Sequence, residues 1–281
     1  MNHRLGWPAC LVLIASACAS APPHPAVAVP SGPLHVEGGD RKSMLRRILP
    51  QNVRIFVFEG KEARRSASGV VIGSESTPDG CFSYVLTSAH VVEPEGLEDP
   101  RMVVYVDRDG DSFDYTARSV AVGKVPDLDL ALIKVRGVSL AAAQLADDAE
   151  LEPGEDVLVV AAPYGKSLSI SGGLISQVEW DRQSRVPAML KTDAAIGYGA
   201  SGGGVYSATS GKLLAIVEGY RTARVGFAVA EQSYSFDVPM PGETFAAPSA
   251  KVRAFLEKNG FGRFVATRAS PGVETTRAAL R

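Results

Sequence analysis

Residues 192–204 read TDAAIGYGASGGG, with Ser201 set among glycines. Backbone this rich in glycine bends tightly and admits close approach by another group. Acyl transfer needs both properties, because the oxyanion of a tetrahedral intermediate must meet backbone N–H groups. Ser201 is therefore a candidate nucleophile, and the amides of Gly199 and Ser201 are candidate oxyanion donors. Glycine-rich turns are also common structural devices, so the stretch needs support from the rest of the chain.

The first support lies upstream, in LTSAHVV (86–92), where an apolar run leads through small residues into His90. The chain has four histidines, His3, His24, His35 and His90. Only His90 sits in a region patterned to fold, so it is the one candidate for an imidazole base. A lone histidine after a strand is, by itself, more often a structural residue. The second support is DLDLALIKV (127–135), in which Asp129 opens an apolar run. A carboxylate flanked by Leu128, Leu130 and Leu132 is expected to be largely buried, and a buried charge needs a partner such as a histidine N–H. Capping of a strand turn is the plainer alternative for Asp129. Asp127, beside Pro126, reads as turn chemistry.

Around these segments run short β-type stretches separated by Gly, Asp and Pro turns, among them VRIFVFEG (53–60), ASGVVIGS (67–74), YVLTSA (84–89), MVVYVD (102–107), DVLVVAA (156–162), AMLKTDAAI (188–196) and KLLAIVEG (212–219). Their spacing is that of sandwiches and barrels. A turn-rich break, LEPGED (151–156), divides them into two sets. Two antiparallel barrels in tandem fit that division, as does one larger sandwich. The spacing predicts one amphipathic helix at 249–258, with Val252, Phe255 and Leu256 on one face, Ser249 as cap and Gly260 as stop. Residues 41–49 (RKSMLRRIL) predict one or two further helical turns.

Taken together, LTSAHVV, DLDLALIKV and TDAAIGYGASGG occur in the order His, Asp, Ser in an all-β chain, the order of the chymotrypsin fold. Over about residues 50–260 the chain resembles the trypsin-like serine proteases of the bacterial HtrA (Deg) branch. That resemblance implies an all-β fold of two tandem six-stranded antiparallel β-barrels, the chymotrypsin-like double barrel, with a C-terminal helix. It implies a serine endopeptidase without cofactor or metal, acting on polypeptides in extended conformation. Ser201 would be the nucleophile, His90 the base and later the acid, and Asp129 the group that orients His90. Gly199 and Ser201 would form the oxyanion hole with Ala200 N–H nearby. Ala195, six residues before Ser201, would sit at the pocket floor. Being uncharged, it disfavours Lys or Arg, although Asp193 two residues back competes for that role. Ile216, Val217 and Glu218 would offer a strand edge to the substrate.

The chain departs from the family at three positions. It has Ala200 where Asn or Asp is usual, Gly197 where Asn is common and Gly204 where Pro is common. Fewer side-chain bonds in this loop lead to an expectation of ordering on substrate binding. A protease-fold binding protein with little turnover is therefore the alternative reading. About twenty residues follow the helix, too few for a PDZ domain.

Composition narrows the partners. The chain has 281 residues, 46% apolar, with a net charge of −2. It lacks the clustered basic charge that nucleic acid demands. Residues 5–17 (LGWPACLVLIASA) follow Arg4 as a short apolar run of the targeting type, below the roughly 20 residues that span a bilayer. The run ends in Ala15-Ser16-Ala17-Cys18, which resembles a bacterial lipoprotein box except for Ala15 in place of Leu. Lipidation at Cys18 is expected, with cleavage after Ala17 or an uncleaved anchor as alternatives. The expected organisation is a signal peptide at 1–17, a flexible linker at 18–45, the protease domain at 46–262 and a disordered tail at 263–281. The protein is thus read as exported to the cell envelope, periplasm or surface, and tethered to a membrane by lipid. With Cys18 modified, Cys81 is left unpaired, and no disulfide framework is expected.

Overall fold

The structure, a computed structural model, describes residues 41–93, 95–229 and 232–265. The targeting segment, Cys18, the linker up to residue 40 and residues 266–281 lie outside the described residues.

The first six strands are β1 (Asn52–Glu59), β2 (Glu62–Thr77), β3 (Gly80–Thr87), β4 (Arg101–Arg108), β5 (Asp111–Val122) and β6 (Ala131–Arg136). They close in the order β1-β2-β3-β6-β5-β4, every pair antiparallel. The second six are β7 (Asp156–Ala161), β8 (Ser169–Trp180), β9 (Pro187–Thr192), β10 (Gly204–Ser207), β11 (Leu213–Val229) and β12 (Gln232–Pro248). They close as β10-β11-β12-β9-β8-β7. The tandem double barrel expected from the sequence is the fold, with its division at the predicted 151–156 break. The unbroken apolar runs have a physical reason. In β7, Val157 and Val159 fill the core of the second barrel, while Leu158 and Val160 point into a third core between the barrels. In β6, Ile133 and Val135 face the first barrel's core and Leu132 the shared one. Strands buried on both faces must read as continuous hydrophobic runs. Each such side chain, once buried, contributes about 1.5–3 kcal/mol.

Helix α1 (Arg41–Ile48) buries Ile48 in the shared core and packs Met44 and Leu45 against it. Helix α3 (Ser249–Lys258) adds Val252, Phe255 and Leu256, as the helical period predicted. Pro248, not Ser249, occupies the cap position of α3, and no side chain caps it. Phe264 lies against Gly73 and Tyr84, and Arg263 pairs with Glu75 at 2.6 Å. The packed body therefore runs past both expected limits, 46 and 262. Cys81 is a free, exposed thiol. No described helix is long and apolar enough to cross a membrane.

Candidate active site

The site forms where the two barrels meet. β3 ends at Thr87, and Ser88 leads into the short helix α2 (Ala89–Val92), which carries His90. Ser88 is buried and donates to the Val217 carbonyl in β11 at 3.1 Å, which fixes the start of that turn against the other barrel. Asp129 precedes β6 on a loop closed by Gly123 N–H to the Leu130 carbonyl at 2.7 Å. Its side chain is 14% exposed, and both carboxylate oxygens face His90. Oδ2 lies 2.6 Å from His90 Nδ1, and Oδ1 accepts the His90 backbone N–H at 2.9 Å. A carboxylate on Nδ1 makes that nitrogen the proton donor and leaves Nε2 free to act as a base. Asp127 is exposed.

Ser201 opens onto the same cleft, whose cavity of about 270 Å³ is lined by His90, Ser201, Ile196, Tyr198, Tyr220 and other residues. Its Oγ donates to the Glu218 carbonyl at 3.4 Å, a long bond. The loop before it is a type II turn: Gly199 has φ 85°, and Ala200 N–H donates to the Gly197 carbonyl at 3.1 Å. The Tyr198 carbonyl accepts from Tyr164 N–H. Because a peptide's C=O and N–H point in opposite directions, this bond turns the Gly199 N–H away from Tyr164. Among the described residues neither the Gly199 nor the Ser201 amide donates to a protein acceptor, so both remain available to an oxyanion. Ala200 N–H, expected near that hole, is instead engaged within the turn, and Ala200 is buried.

One residue that the sequence reading missed organises this loop. Ser68, from β2, is buried; its Oγ donates to the Gly199 carbonyl and accepts from Ala162 N–H, both at 2.8 Å. Its own N–H donates to the Ser201 carbonyl at 2.9 Å. Further backbone bonds run from Gly202 N–H to the Val217 carbonyl and from Gly203 N–H to the Ala200 carbonyl, each 2.8 Å. These bonds hold the loop where the unusual Gly197 and Ala200 supply no side-chain bonds. Gly202 and Gly204 are forced by neighbours. A Cβ on Gly202 (φ 82°) would stand 2.2 Å from the Ser68 carbonyl, and one on Gly204 would stand 2.4 Å from the Tyr206 ring. No short-range pattern announces Ser68, since its partners lie 94 and 131 residues away.

The expected specificity residues fare differently. Ala195 is exposed and does not line the cavity, whose wall begins at Ile196. Asp193 turns away and accepts from Leu174 N–H at 2.8 Å. Ile216 and Val217 are not a free edge. Both are fully buried, and their backbone groups are paired with β10, β12 and the Ser201 loop. Pairing with β10 and the Ser201 loop stops at Val217, the ladder to β12 resumes at Gly219 after a bulge at Glu218, and the edge facing Ser201 is open from Glu218 toward Thr222. The Glu218 carboxyl is mostly buried. Burial pushes it above the usual glutamate range, Lys251 and His90 oppose that shift, and Asp129 adds to it.

Comparison with known proteins bears on the same residues. The family model "Trypsin-like peptidase domain" matches residues 67–216. The chain is 30% identical over 201 residues to the "Probable periplasmic serine endoprotease DegP-like" of Ectopseudomonas mendocina, covering 71% of this chain and 38% of that protein. A protein of the same description from Marinomonas is 32% identical over 158 residues, covering 56% and 30%. The chain thus spans about a third of the length of these curated relatives. Among solved structures, the serine endoprotease from Yersinia pestis aligns at TM-score 0.56 and 23% identity, covering 78% of this chain and 66% of that one. The "HtrA-type protease AlgW with tripeptide" also aligns at 0.56 and 23%, covering 80% and 64%. At that identity the likeness concerns the fold.

Proposed function

The chain belongs to the trypsin-like peptidase family, in its HtrA (Deg) branch, and from that premise we propose that it is a serine endopeptidase working through an acyl-enzyme on Ser201. The observation that carries the reading is the doubly bonded His90–Asp129 pair beside a serine whose own amide and that of Gly199 are unengaged. Asp129 holds His90 in one tautomer and stabilises the imidazolium. Nε2 takes the Ser201 proton as Oγ attacks the scissile carbonyl, then returns it to the leaving amine. The Gly199 and Ser201 amides receive the oxyanion. The cavity beside Ser201 takes an uncharged side chain, since Ile196, Tyr198 and Tyr220 line it and neither Asp193 nor Glu218 does. The open edge of β11 from Glu218 to Thr222 supports binding of the substrate as an added strand.

One observation favours a second reading, a peptide-binding protein with little turnover. The Ser201 hydroxyl bonds the Glu218 carbonyl rather than His90, and must rotate before attack. A fluorophosphonate probe decides between them. Labelling of the wild type but not of Ser201→Ala is the expected result, and a folded wild type that takes no label refutes the enzyme. The run Ala15-Ser16-Ala17-Cys18 and the periplasmic description of the relatives support an envelope protein lipidated at Cys18. Cys18→Ala should then leave the membrane fraction, and its retention there refutes the anchor.

A further inference from the structure

The distal part of the β11–β12 hairpin is a two-stranded ribbon. β10 pairs with β11 only over 213–216, and β9 pairs with β12 only over 244–246, so among the described residues 222–229 and 232–239 pair in the sheet only with each other. Register sets Ala223 opposite Val238, Val225 opposite Phe236 and Phe227 opposite Tyr234. These pairs share one face, since side chains alternate along a strand. The other face carries Arg224 opposite Asp237, Gly226 opposite Ser235 and Ala228 opposite Ser233. Arg224 grips Asp237 with two bonds, 3.0 and 3.2 Å, which pins the register from the polar side. On the apolar side Phe227 stacks on Tyr234 at 5.5 Å and meets Phe236 edge-on at 6.2 Å. Val225, Phe227, Tyr234 and Phe236 are nonetheless 42% to 53% exposed among the described residues. Aromatic side chains left in water on one face are open to a partner, the residue type enriched where proteins bind one another, and a lone ribbon gains little stability from its own pairing.

Two features select the occupant. The first is size. Seven residues at about 3.3 Å each, two strands wide, make a face of roughly 23 by 10 Å. That is on the order of 230 Å², against about 800 Å² per partner in a stable interface. The face is too small to hold a second copy of the chain by itself, and it matches one extended strand of about seven residues. The second is continuity. The ribbon extends directly from Gly219, Tyr220 and Thr222, which line the cavity beside Ser201. In acyl transfer the side chain held in that cavity belongs to the acyl half of the substrate, while the leaving half departs on the His90 side. Chain preceding the cleaved bond is therefore the part led toward the ribbon. Among the described residues of 222–239, those on this face are uncharged, so the segment it suits is apolar.

We propose that the apolar face of the β11–β12 ribbon is an exosite for an apolar, extended stretch of substrate on the acyl side of the scissile bond, an inference that rests on the peptidase reading above. The test uses the full chain carrying Ser201→Ala and two fluorescein-labelled 14-residue peptides. One has alternating Leu and Ser in its N-terminal half and Gly and Ser in its C-terminal half; the other has the halves exchanged. Anisotropy should show the first binding about tenfold more tightly, the scale expected for covering two aromatic side chains halfway. Phe227→Ser/Phe236→Ser should abolish that preference, with an unchanged thermal midpoint as the check on folding. Equal affinities for the two peptides overturn the proposal, and this comparison needs no change in the hairpin. A preference that survives the double substitution overturns it as well. So does a substitution that dissociates a dimer in sedimentation, or releases the chain from lipid vesicles, without altering peptide affinity. Probe labelling of Ser201 in the otherwise native chain reports separately on the peptidase. Peptide preference without labelling removes the enzyme and keeps the site, whereas labelling without preference does the reverse.

Discussion

Ser68→Ala tests whether the first barrel holds the nucleophile loop of the second in its working shape. The substitution removes a hydroxyl that is buried and fully used, donating to the Gly199 carbonyl and accepting from Ala162 N–H. Each bond is worth about 1 kcal/mol net, and each partner left unpaired in the interior adds a desolvation penalty. The sum is about 2–4 kcal/mol. With a urea slope of about 2–3 kcal/mol/M, the midpoint of unfolding falls by about 0.7–2 M. The same change frees the Gly199 carbonyl, so the Gly199–Ala200 peptide, which lies between the Gly199 and Ser201 amides, is held only by its Ala200 N–H bond to the Gly197 carbonyl. Loss of one oxyanion donor costs about 10²–10³ in rate. A loosened loop samples the working shape part of the time, so labelling of Ser201 should slow by about tenfold to a hundredfold. Both measurements are made on the same preparation, with labelling at 10 °C so that the variant remains folded. A midpoint within 0.2 M of wild type together with an unchanged labelling rate would refute the reasoning. A fall in stability with full labelling would show that the loop is held by its backbone bonds alone.

Asp129→Asn keeps the shape but cannot hold His90 Nδ1 as donor. Loss of about 10⁴ in kcat is the scale for this change in a trypsin-like triad, and a loss under tenfold in a peptide ester assay removes Asp129 from its role. Glu218→Gln is expected to stabilise the protein near neutral pH. Burial raises the Glu218 carboxyl in the folded state, so the wild type loses stability as pH climbs from the unfolded value of 4.5 through the higher folded one. Urea midpoints of the two proteins should therefore diverge at pH 7 and converge below about pH 4.5, and a constant gap across that range contradicts the assignment. Tyr206→Phe removes the hydroxyl that donates to Asn52 Oδ1 at 3.1 Å in the shared core. With Asn52 Nδ2 held on the Ile48 carbonyl at 2.7 Å, the oxygen is left unpaired. The cost is about 1–3 kcal/mol in a urea titration, and a change below 0.5 kcal/mol shows that the site repacks.

What the sequence determined is local or exclusive in kind. Period-two and continuous apolar runs set the strands, because a residue's neighbours two places away share its face. The turn-rich break at 151–156 set the division between barrels. Only one histidine lay in a foldable region, and the His90, Asp129, Ser201 order tied three weak motifs to one fold. Strands interrupted by glycine or lacking a buried face are harder to read. β8 carries Gly172 and Gly173 in its interior, and the distal half of β12 alternates apolar and polar residues in water rather than against a core. Only tertiary structure decided which groups meet across long separations. Ser68 reaches Gly199 and Ala162, the Ala200 amide closes on Gly197, and the cavity wall begins at Ile196 instead of Ala195. Pairing also took Ile216 and Val217 out of reach and opened the edge one residue later, at the Glu218 bulge. The reason is physical. A hydrogen bond is satisfied by whatever donor or acceptor the fold brings within about 3 Å, and sequence spacing does not encode that encounter. The proposed triad needed one residue of each chemical kind in a recognisable context, whereas the groove, the turn before Ser201 and the aromatic ribbon depend on register, and register is fixed only when the barrels close.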